Sequence, residues 1–372
     1  MFDVQYCALS RVLSAVIVAA GLVTAGIASA EANEAALDHA AHETEPGGYA
    51  GHGGHTHNAS GHAPIGVMGD HTHAPGEVMF SYRYMRMAMN GLRDGDDTIS
   101  RQKVLEDFAV TPTKMDMEMH MFGAMVAPIE RLTLMVMLPV ISLDMEHLTR
   151  PGGRFDTSSD GVGDFTVTAL VDLWKTERHK LHANLGLSFP TGSITEVGRT
   201  PLSNPAKVRL PYPMQIGSGT YDFLPGLTYS GRHESIVWGG QARGEIRLNE
   251  NHADYQLGNA YAITGWGAYE FASFVSASLR LEWSHQLNID GRDPSINTTT
   301  PGGVPLVPTA DPGRRAAMRL DALAGVNFQV PWAPLSGLRF AFEAGLPTYQ
   351  HNEGPALETD WLLTFGVQYT LP

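Results

Sequence analysis

The chain has 372 residues and a formal net charge of −14, and 43% of its residues are hydrophobic. This acidic balance excludes binding of nucleic acid through a basic surface. Its 40 glycines and 12 tyrosines favour an all-β protein over a packed helical one.

The first 30 residues have the order of a secretory signal peptide. Arg11 precedes an apolar run over residues 12–27, and the small residues Ala28 and Ala30 follow. This order predicts export and cleavage after Ala30. Cys7, the only cysteine, lies inside the segment, so we expect neither disulfides nor a lipid anchor. Beyond it no apolar run reaches about 18 residues, so a membrane role requires a β-barrel.

Residues 31–75 contain eight histidines set among Gly, Ala and Pro. A segment with so little to bury is expected to be disordered, and we place it in the periplasm. Imidazole is a ligand for Cu, Zn and Ni, so the composition predicts transient metal binding, and the alternative is a solvated linker. The candidate ligands are His52, His55, His57, His62, Asp70, His71 and His73.

From Gly76 onward, apolar and polar residues alternate with the period of two that is typical of strands. Twelve candidate strands result, an even number as in bacterial single-chain barrels, and their connections alternate between short and long. We therefore predict an all-β protein, a transmembrane up-and-down antiparallel β-barrel over residues 76–372. The strands are expected near residues 76–90, 114–126, 130–141, 160–174, 179–190, 219–230, 234–248, 257–271, 274–288, 314–330, 335–347 and 360–371.

Such a barrel belongs in the outer membrane of a Gram-negative bacterium, with outer-membrane lipid around it. The barrel assembly machinery is the expected partner for insertion. The chain ends in Pro372, and Tyr369 and Leu371 are the aromatic and apolar residues expected to serve as the C-terminal signal.

Methionine is concentrated in the first three strands, because 12 of the 16 methionines fall between Met79 and Met145. In the second strand the alternation predicts methionines 117–125 on the lipid face, with Asp116, Glu118 and His120 in the lumen. The lumenal candidates on the first and third strands are Met85, Met87, Met135 and Met137. Thioethers select Cu(I), so the cluster predicts weak binding of copper or silver. The alternative is methionine that only packs the inner wall, and no cofactor is required.

The remaining inward positions predict a lumen of mixed charge. Such charges are expected to pair and to narrow or plug the bore of a twelve-stranded barrel. The lumenal residues are Arg83, Arg243, Glu245, Arg247, Arg280, Glu282, Arg319, Asp321, Arg339 and Glu343. No nucleophile motif such as G-x-S-x-G accompanies a histidine, so no enzyme is expected.

Three stretches resemble the outer-membrane family of the MetA pathway of phenol degradation. They are DGVGDFTVTALVDL at 160–173, LGLSFPTG at 185–192 and GSGTYDFLPGLTYSG at 217–231. The resemblance implies a β-barrel channel that passes small, often hydrophobic, molecules across the outer membrane.

These observations support an outer-membrane channel for a small solute, linked to copper handling through the histidine segment and the methionine strands. One alternative is an uptake pore for aromatic or other hydrophobic compounds. A second is a non-conducting scaffold that binds a partner through its long loops at residues 91–113, 191–218 and 289–313.

Overall fold

A computed structural model describes residues 59–332 and 334–371. The signal peptide, Cys7 and the first part of the histidine-rich segment, including His52, His55 and His57, lie outside the described residues. The described elements are short 3₁₀ turns (Ala59–Gly61, Tyr212–Met214, Pro308–Ala310, Pro312–Arg314), one helix, α1 (Arg101–Asp107), and seventeen strands: β1 (Val78–Gly95), β2 (Asp97–Ile99), β3 (Val110–Ile129), β4 (Leu132–Thr149), β5 (Arg154–Val162), β6 (Phe165–Lys175), β7 (His179–Phe189), β8 (Val197–Gly198), β9 (Val208–Arg209), β10 (Asp222–His233), β11 (Ile236–Arg247), β12 (Tyr255–Gln256), β13 (Ala260–Ala272), β14 (Val275–Gln286), β15 (Asp290–Gly291), β16 (Ala317–Gln329) and β17 (Leu338–Leu371).

The main sheet is antiparallel and closes on itself. Its order is β1-β3-β4-β6-β7-β10-β11-β13-β14-β16-β17, and β17 returns to pair with β1, while β2 and β5 extend β1 and β4. Closure leaves no open edge, which a sheet surrounded by lipid requires. The expected up-and-down antiparallel barrel is thereby confirmed.

The last strand crosses the wall twice. Residues 339–352 pair antiparallel with β16, and residues 352–371 pair antiparallel with β1. Eleven alternating strands would leave β17 parallel to β1, so this segment reverses direction near Gly354, whose φ of +92° suits a turn. Its two halves are neighbours, since the Thr370 N–H donates to the Gly337 carbonyl at 3.0 Å. The wall therefore has twelve crossings, as the sequence predicts.

The connections separate the two ends of the barrel. One end, the short-turn end, carries brief links such as residues 130–131 and 234–235, whereas the other, the long-loop end, carries residues 190–221 and 287–316. The predicted alternation of loop lengths is present around the wall.

Over most of the wall the outer surface is apolar and the inner surface is polar. On β14, Leu279 is 71% exposed and Leu281 is 56% exposed, whereas Ser278 and Arg280 are 6% exposed. Exposed apolar side chains alternating with buried polar ones show that the apolar face looks outward toward lipid. Within the described residues, no helix is long and apolar enough to cross a bilayer.

Three long loops pack together over the long-loop end. Ile194 and Tyr212 come from one loop, Tyr255 from the next, and Ile296 and Val307 from the third, and all five are buried in one apolar cluster. The rings of Tyr212 and Tyr255 meet edge to face at 5.0 Å. These loops are folded against one another and cover part of this end.

Asp164 joins the three stretches that carry the family resemblance. Its carboxylate accepts hydrogen bonds from the Gly192 N–H at 2.8 Å and from the Ser218 N–H and hydroxyl at 2.7 and 2.8 Å. Thr191 adds a bond from its hydroxyl to the Gly163 carbonyl at 2.8 Å. The carboxylate thus fixes the loop over residues 190–221 to the start of β6.

Replacing this carboxylate should loosen the loop. The substitution Asp164→Ala leaves the N–H groups of Gly192 and Ser218 without their acceptor, so we expect a loss of about 2–4 kcal/mol in the free energy of unfolding. Urea unfolding in lipid vesicles measures it. Asp160→Ala removes an exposed carboxylate four residues away; equal stability of the two variants would contradict this role for Asp164.

Candidate functional site

Residues 59–76 lie inside the barrel and form a segment that we call the plug. It enters at the short-turn end, where the Ala59 N–H donates to the Ser273 carbonyl at 2.8 Å. The Ser276 hydroxyl donates to the Ala59 carbonyl at 3.2 Å. The expectation of disorder over residues 31–75 is therefore wrong for residues 59–75. The apolar residues Ile65 and Val67, which are buried, were the signal in the sequence for a seated segment.

The wall holds the plug through its backbone carbonyls. Arg83 donates to the Ile65 carbonyl at 3.2 Å, and Arg339 donates to the Ala63 carbonyl at 2.7 Å. Charged donors make the stronger hydrogen bonds, and both arginines are buried. Further donors are Gln241 to the Met68 carbonyl at 2.9 Å, and His182 and Asn184 to the Gly69 carbonyl at 2.9 and 3.2 Å.

A carboxylate network meets the middle of the plug. Arg280 binds Glu343 with two contacts of 2.8 and 2.9 Å and also binds Glu282 at 2.6 Å. Glu343 accepts from the Gly66 N–H at 3.1 Å. A Cβ on Gly66 would lie 2.3 Å from Glu343 Oε2 and 2.4 Å from an Arg280 nitrogen, so a larger residue here must displace this ion pair. The network therefore both pairs the lumenal charges and seats the plug.

The other predicted lumenal charges are also paired. Arg243 lies 3.3 Å from Glu282, and Arg319 lies 2.9 Å from Asp321. Arg247 binds Glu245 at 2.8 Å and Asp222 at 2.6 Å.

The register of β1, β3 and β4 sends the methionines inward. Directly opposed residues share a face, and the register opposes Met89, Met115 and Met145 in one row. Met115 and Met145 are buried, as is Arg83 on the same face of β1. All twelve methionines between 79 and 145 stand at odd positions of these strands: Met79, Met85, Met87, Met89, Met115, Met117, Met119, Met121, Met125, Met135, Met137 and Met145.

The predicted facing of the second strand is therefore wrong. Asp116, Glu118 and His120 are on the outer face, because Arg86 binds Asp116 at 2.9 Å and lies 3.7 Å from Glu118. His120 is hydrogen-bonded to the Tyr82 hydroxyl at 2.8 Å. Arg86 and Tyr82 on β1 thus pair with these polar side chains on the outer face of the barrel. An arginine on the otherwise apolar side of β1 was the signal in the sequence for this arrangement.

Above the plug lies a cavity of about 680 Å³, which we call the chamber. One wall is formed by β1, β3 and β4, with Ile141 and Leu143 beside the methionines. The opposite wall is polar and includes Gln241, Arg243 and Ser284. Met85 faces the lumen but does not line the chamber. The methionines that line it are Met68, Met87, Met89, Met115, Met117, Met135, Met137, Met145 and Met318.

The plug brings together those ligands predicted in the histidine-rich segment that the structure describes. One ligand atom each from His62, Asp70 and His71 lies within 4.8 Å of the others. The ring of His73 lies 4.8 Å from the ring of His71. Burial lowers the pKa of His62 well below its usual value, and it lowers the pKa of His73 to about 4. Both imidazoles are thus neutral at pH 7, the form that can bind a metal.

A closed barrel with an apolar exterior and a polar, plugged lumen defines an outer-membrane β-barrel protein. The family model described as "Putative MetA-pathway of phenol degradation" matches residues 113–302. The chain belongs to this family, and the resemblance seen in its three stretches is confirmed.

One solved structure shares the fold, and a second is less similar. An outer membrane channel from Pseudomonas putida F1 is 14% identical, with a TM-score of 0.54 over 82% of this chain and 99% of that chain. A Pseudomonas aeruginosa FadL homologue is 11% identical, with a TM-score of 0.38 over 79% of this chain and 89% of that chain. No curated protein sequence matches this chain.

A side chain at Gly66 should unseat the plug. Gly66→Val would place its Cβ against Glu343 and Arg280, so we expect a conductance several-fold higher in planar bilayers. Gly61→Val is the matched control, because a Cβ there meets nothing within 4 Å. If the two variants conduct alike, the plug does not limit the bore.

Proposed function

We propose that this protein is an outer-membrane channel for a small solute and that its chamber binds a soft metal cation such as Cu(I). Membership of the family and the plugged barrel support a channel. The observation that carries the metal is the convergence of nine methionines, from three neighbouring strands, the plug and β16, on one cavity. The proposal assigns the protein no catalytic reaction.

The chemistry of the methionine wall favours a soft cation. Thioether sulfur is a weak, polarisable ligand that binds Cu(I) or Ag(I) and has little affinity for hard ions. Several thioethers within reach of one another offer many weak sites instead of one tight site. Weak and multiple sites suit passage, because an ion must leave as readily as it enters.

The same cavity supports a second candidate, a small hydrophobic molecule. A volume of about 680 Å³ lies in the usual range for pockets that hold small organic ligands. Ile141, Leu143 and Leu224 extend the apolar surface beside the methionines. Leucine and methionine offer nearly equal apolar surface, but only methionine carries sulfur. Replacing methionine by leucine should therefore weaken binding of a soft cation and preserve binding of a hydrophobic molecule.

The triple variant Met87→Leu, Met117→Leu and Met137→Leu removes three of the nine sulfurs that line the chamber and keeps its apolar volume, at a cost below about 1.5 kcal/mol per site. We expect the affinity for Ag(I), a redox-stable substitute for Cu(I), to fall by at least about tenfold. Calorimetry on the refolded full chain measures it.

The matched control is Met79→Leu, Met121→Leu and Met125→Leu, since these methionines face the lumen without lining the chamber. Unchanged Ag(I) affinity in the chamber variant would overturn the metal proposal. Liposome swelling then distinguishes a hydrophobic-solute pore, which both triple variants would preserve, from a barrel that does not conduct.

A further inference from the structure

Residues 63–69 form a turn of the plug, and the side chains at the two ends of this turn meet in one cluster of candidate metal ligands. His62 precedes the turn, and Asp70 and His71 follow it. The rings of His62 and His71 are edge to face with centroids 4.3 Å apart. Asp70 accepts from the Ala63 N–H at 2.9 Å and is hydrogen-bonded to His71 Nδ1 at 2.8 Å. The carboxylate therefore fixes both ends of the turn before any ligand binds.

These hydrogen bonds leave imidazole nitrogens facing inward with no partner. Because Asp70 is bonded to Nδ1 of His71, the Nε2 of His71 carries the free lone pair, and it is buried without a hydrogen-bond partner among the described residues. His73 repeats the pattern, with Nδ1 bonded to Glu77 at 3.1 Å and Nε2 buried and unpartnered. His62 Nδ1 is likewise buried without a hydrogen bond, and it lies 4.0 Å from Asp70 Oδ2.

The pairing of a carboxylate with one imidazole nitrogen is the arrangement that orients histidines in metal sites. Burying an imidazole nitrogen without a hydrogen bond is unfavourable, and this short segment contains three such atoms. A cation bound by His62 and His71 would satisfy two of them. The cluster is therefore built for a ligand that accepts lone pairs.

The spacing and the donors select the class of ion. A tetrahedral ion with bonds near 2.1 Å separates its ligands by about 3.4 Å, so ligand atoms within 4.8 Å need only small side-chain rotations. Two imidazoles, one of them positioned by a carboxylate, prefer Zn²⁺ or Cu²⁺ over Cu(I). A cavity of about 80 Å³ adjoins the cluster, with Arg178 and Lys180 in its lining. Glu177 also lines this cavity, which leaves room beside the cluster for a further small ligand.

We propose that the imidazoles of His62 and His71, the latter positioned by Asp70 through Nδ1, bind a divalent cation of the Zn²⁺ or Cu²⁺ class and that this ion clamps the plug in the lumen. The residues between them, 63–69, carry the carbonyls held by Arg83, Arg339 and Gln241. An ion that ties residue 62 to residue 71 fixes the turn that presents those carbonyls. The clamp rests on the proposed function only in that the plug closes a channel.

The binding test uses the refolded full chain with histidines 39, 42, 52, 55 and 57 replaced by asparagine, which leaves His62, His71 and His73 as the imidazoles of the N-terminal segment. Titration with Zn²⁺ should give one ion per chain. The double variant His62→Ala and His71→Ala should bind at least about 100-fold more weakly. Asp70→Asn, which keeps an acceptor for the Ala63 N–H, should also weaken binding. His252→Asn, an exposed histidine, should not.

The clamp is measured by hydrogen–deuterium exchange of peptides covering residues 61–72. If exchange requires release of the plug, Zn²⁺ at 100 times its dissociation constant should slow it by about 100-fold, and this effect should vanish in the double variant. Peptides from β13 and β14 serve as the internal control. Equal Zn²⁺ affinity in the double variant overturns the site, and binding without slower exchange overturns the clamp.

The result of the Zn²⁺ test on the plug can be distinguished from the result of the Ag(I) test on the chamber. Zn²⁺ binding depends on imidazole and carboxylate, whereas Ag(I) binding depends on sulfur. A chain that binds Zn²⁺ at the plug but fails to bind Ag(I) in the chamber would retain the clamp and lose the soft-metal proposal, and the reverse result would do the opposite.

Discussion

The structure depends on the requirement that every backbone N–H and C=O within lipid be paired inside the protein. Closure of the antiparallel wall meets this requirement, and it also fixes the face of every side chain, because residues alternate along each strand. In β1, β3 and β4 the register opposes odd residues to odd residues. One such register places all of their methionines on the same side, and that side is the lumen. The unusual composition of these strands thus becomes a property of the interior.

The lumen and the plug supply each other's hydrogen-bond partners. Buried arginines at positions 83 and 339 need acceptors, and the plug needs donors for carbonyls that water does not reach. The bonds to the Ile65 and Ala63 carbonyls meet both needs. The plug bounds the chamber through Met68, and residues of the long loops such as Pro213 and Thr309 bound its far side. A solute in the lumen would therefore meet the plug at one end of the chamber and the partial cover of the long loops at the other.

The wall of the barrel could be predicted from the sequence because its signal is local. The alternation in β14 and the length of the connections need no knowledge of distant residues. Which side of β3 faces the lumen could not be predicted in this way. Methionines and polar residues alternate along this strand, and either set could face inward. Arg86, a residue 30 positions away, decides it by pairing with Asp116 outside the lumen.

The plug could not be predicted from the sequence for a related reason. Its composition matches that of a solvated linker, and its stability comes from the far wall, where Glu343 meets Gly66 across 277 residues. Such contacts exist only once the barrel has closed. The proposed metal ligands show both situations, since the composition of residues 62–73 indicated metal ligands, whereas only the fold shows which of their nitrogens lack a hydrogen-bond partner.

The role of the methionine chamber is tested most directly by X-ray absorption spectroscopy of the full chain loaded with one equivalent of Cu(I). Sulfur scatterers in the first coordination shell are the predicted result, because the chamber offers several thioethers and few competing ligands of similar softness. A first shell made only of nitrogen and oxygen would contradict it and would place the copper outside the chamber.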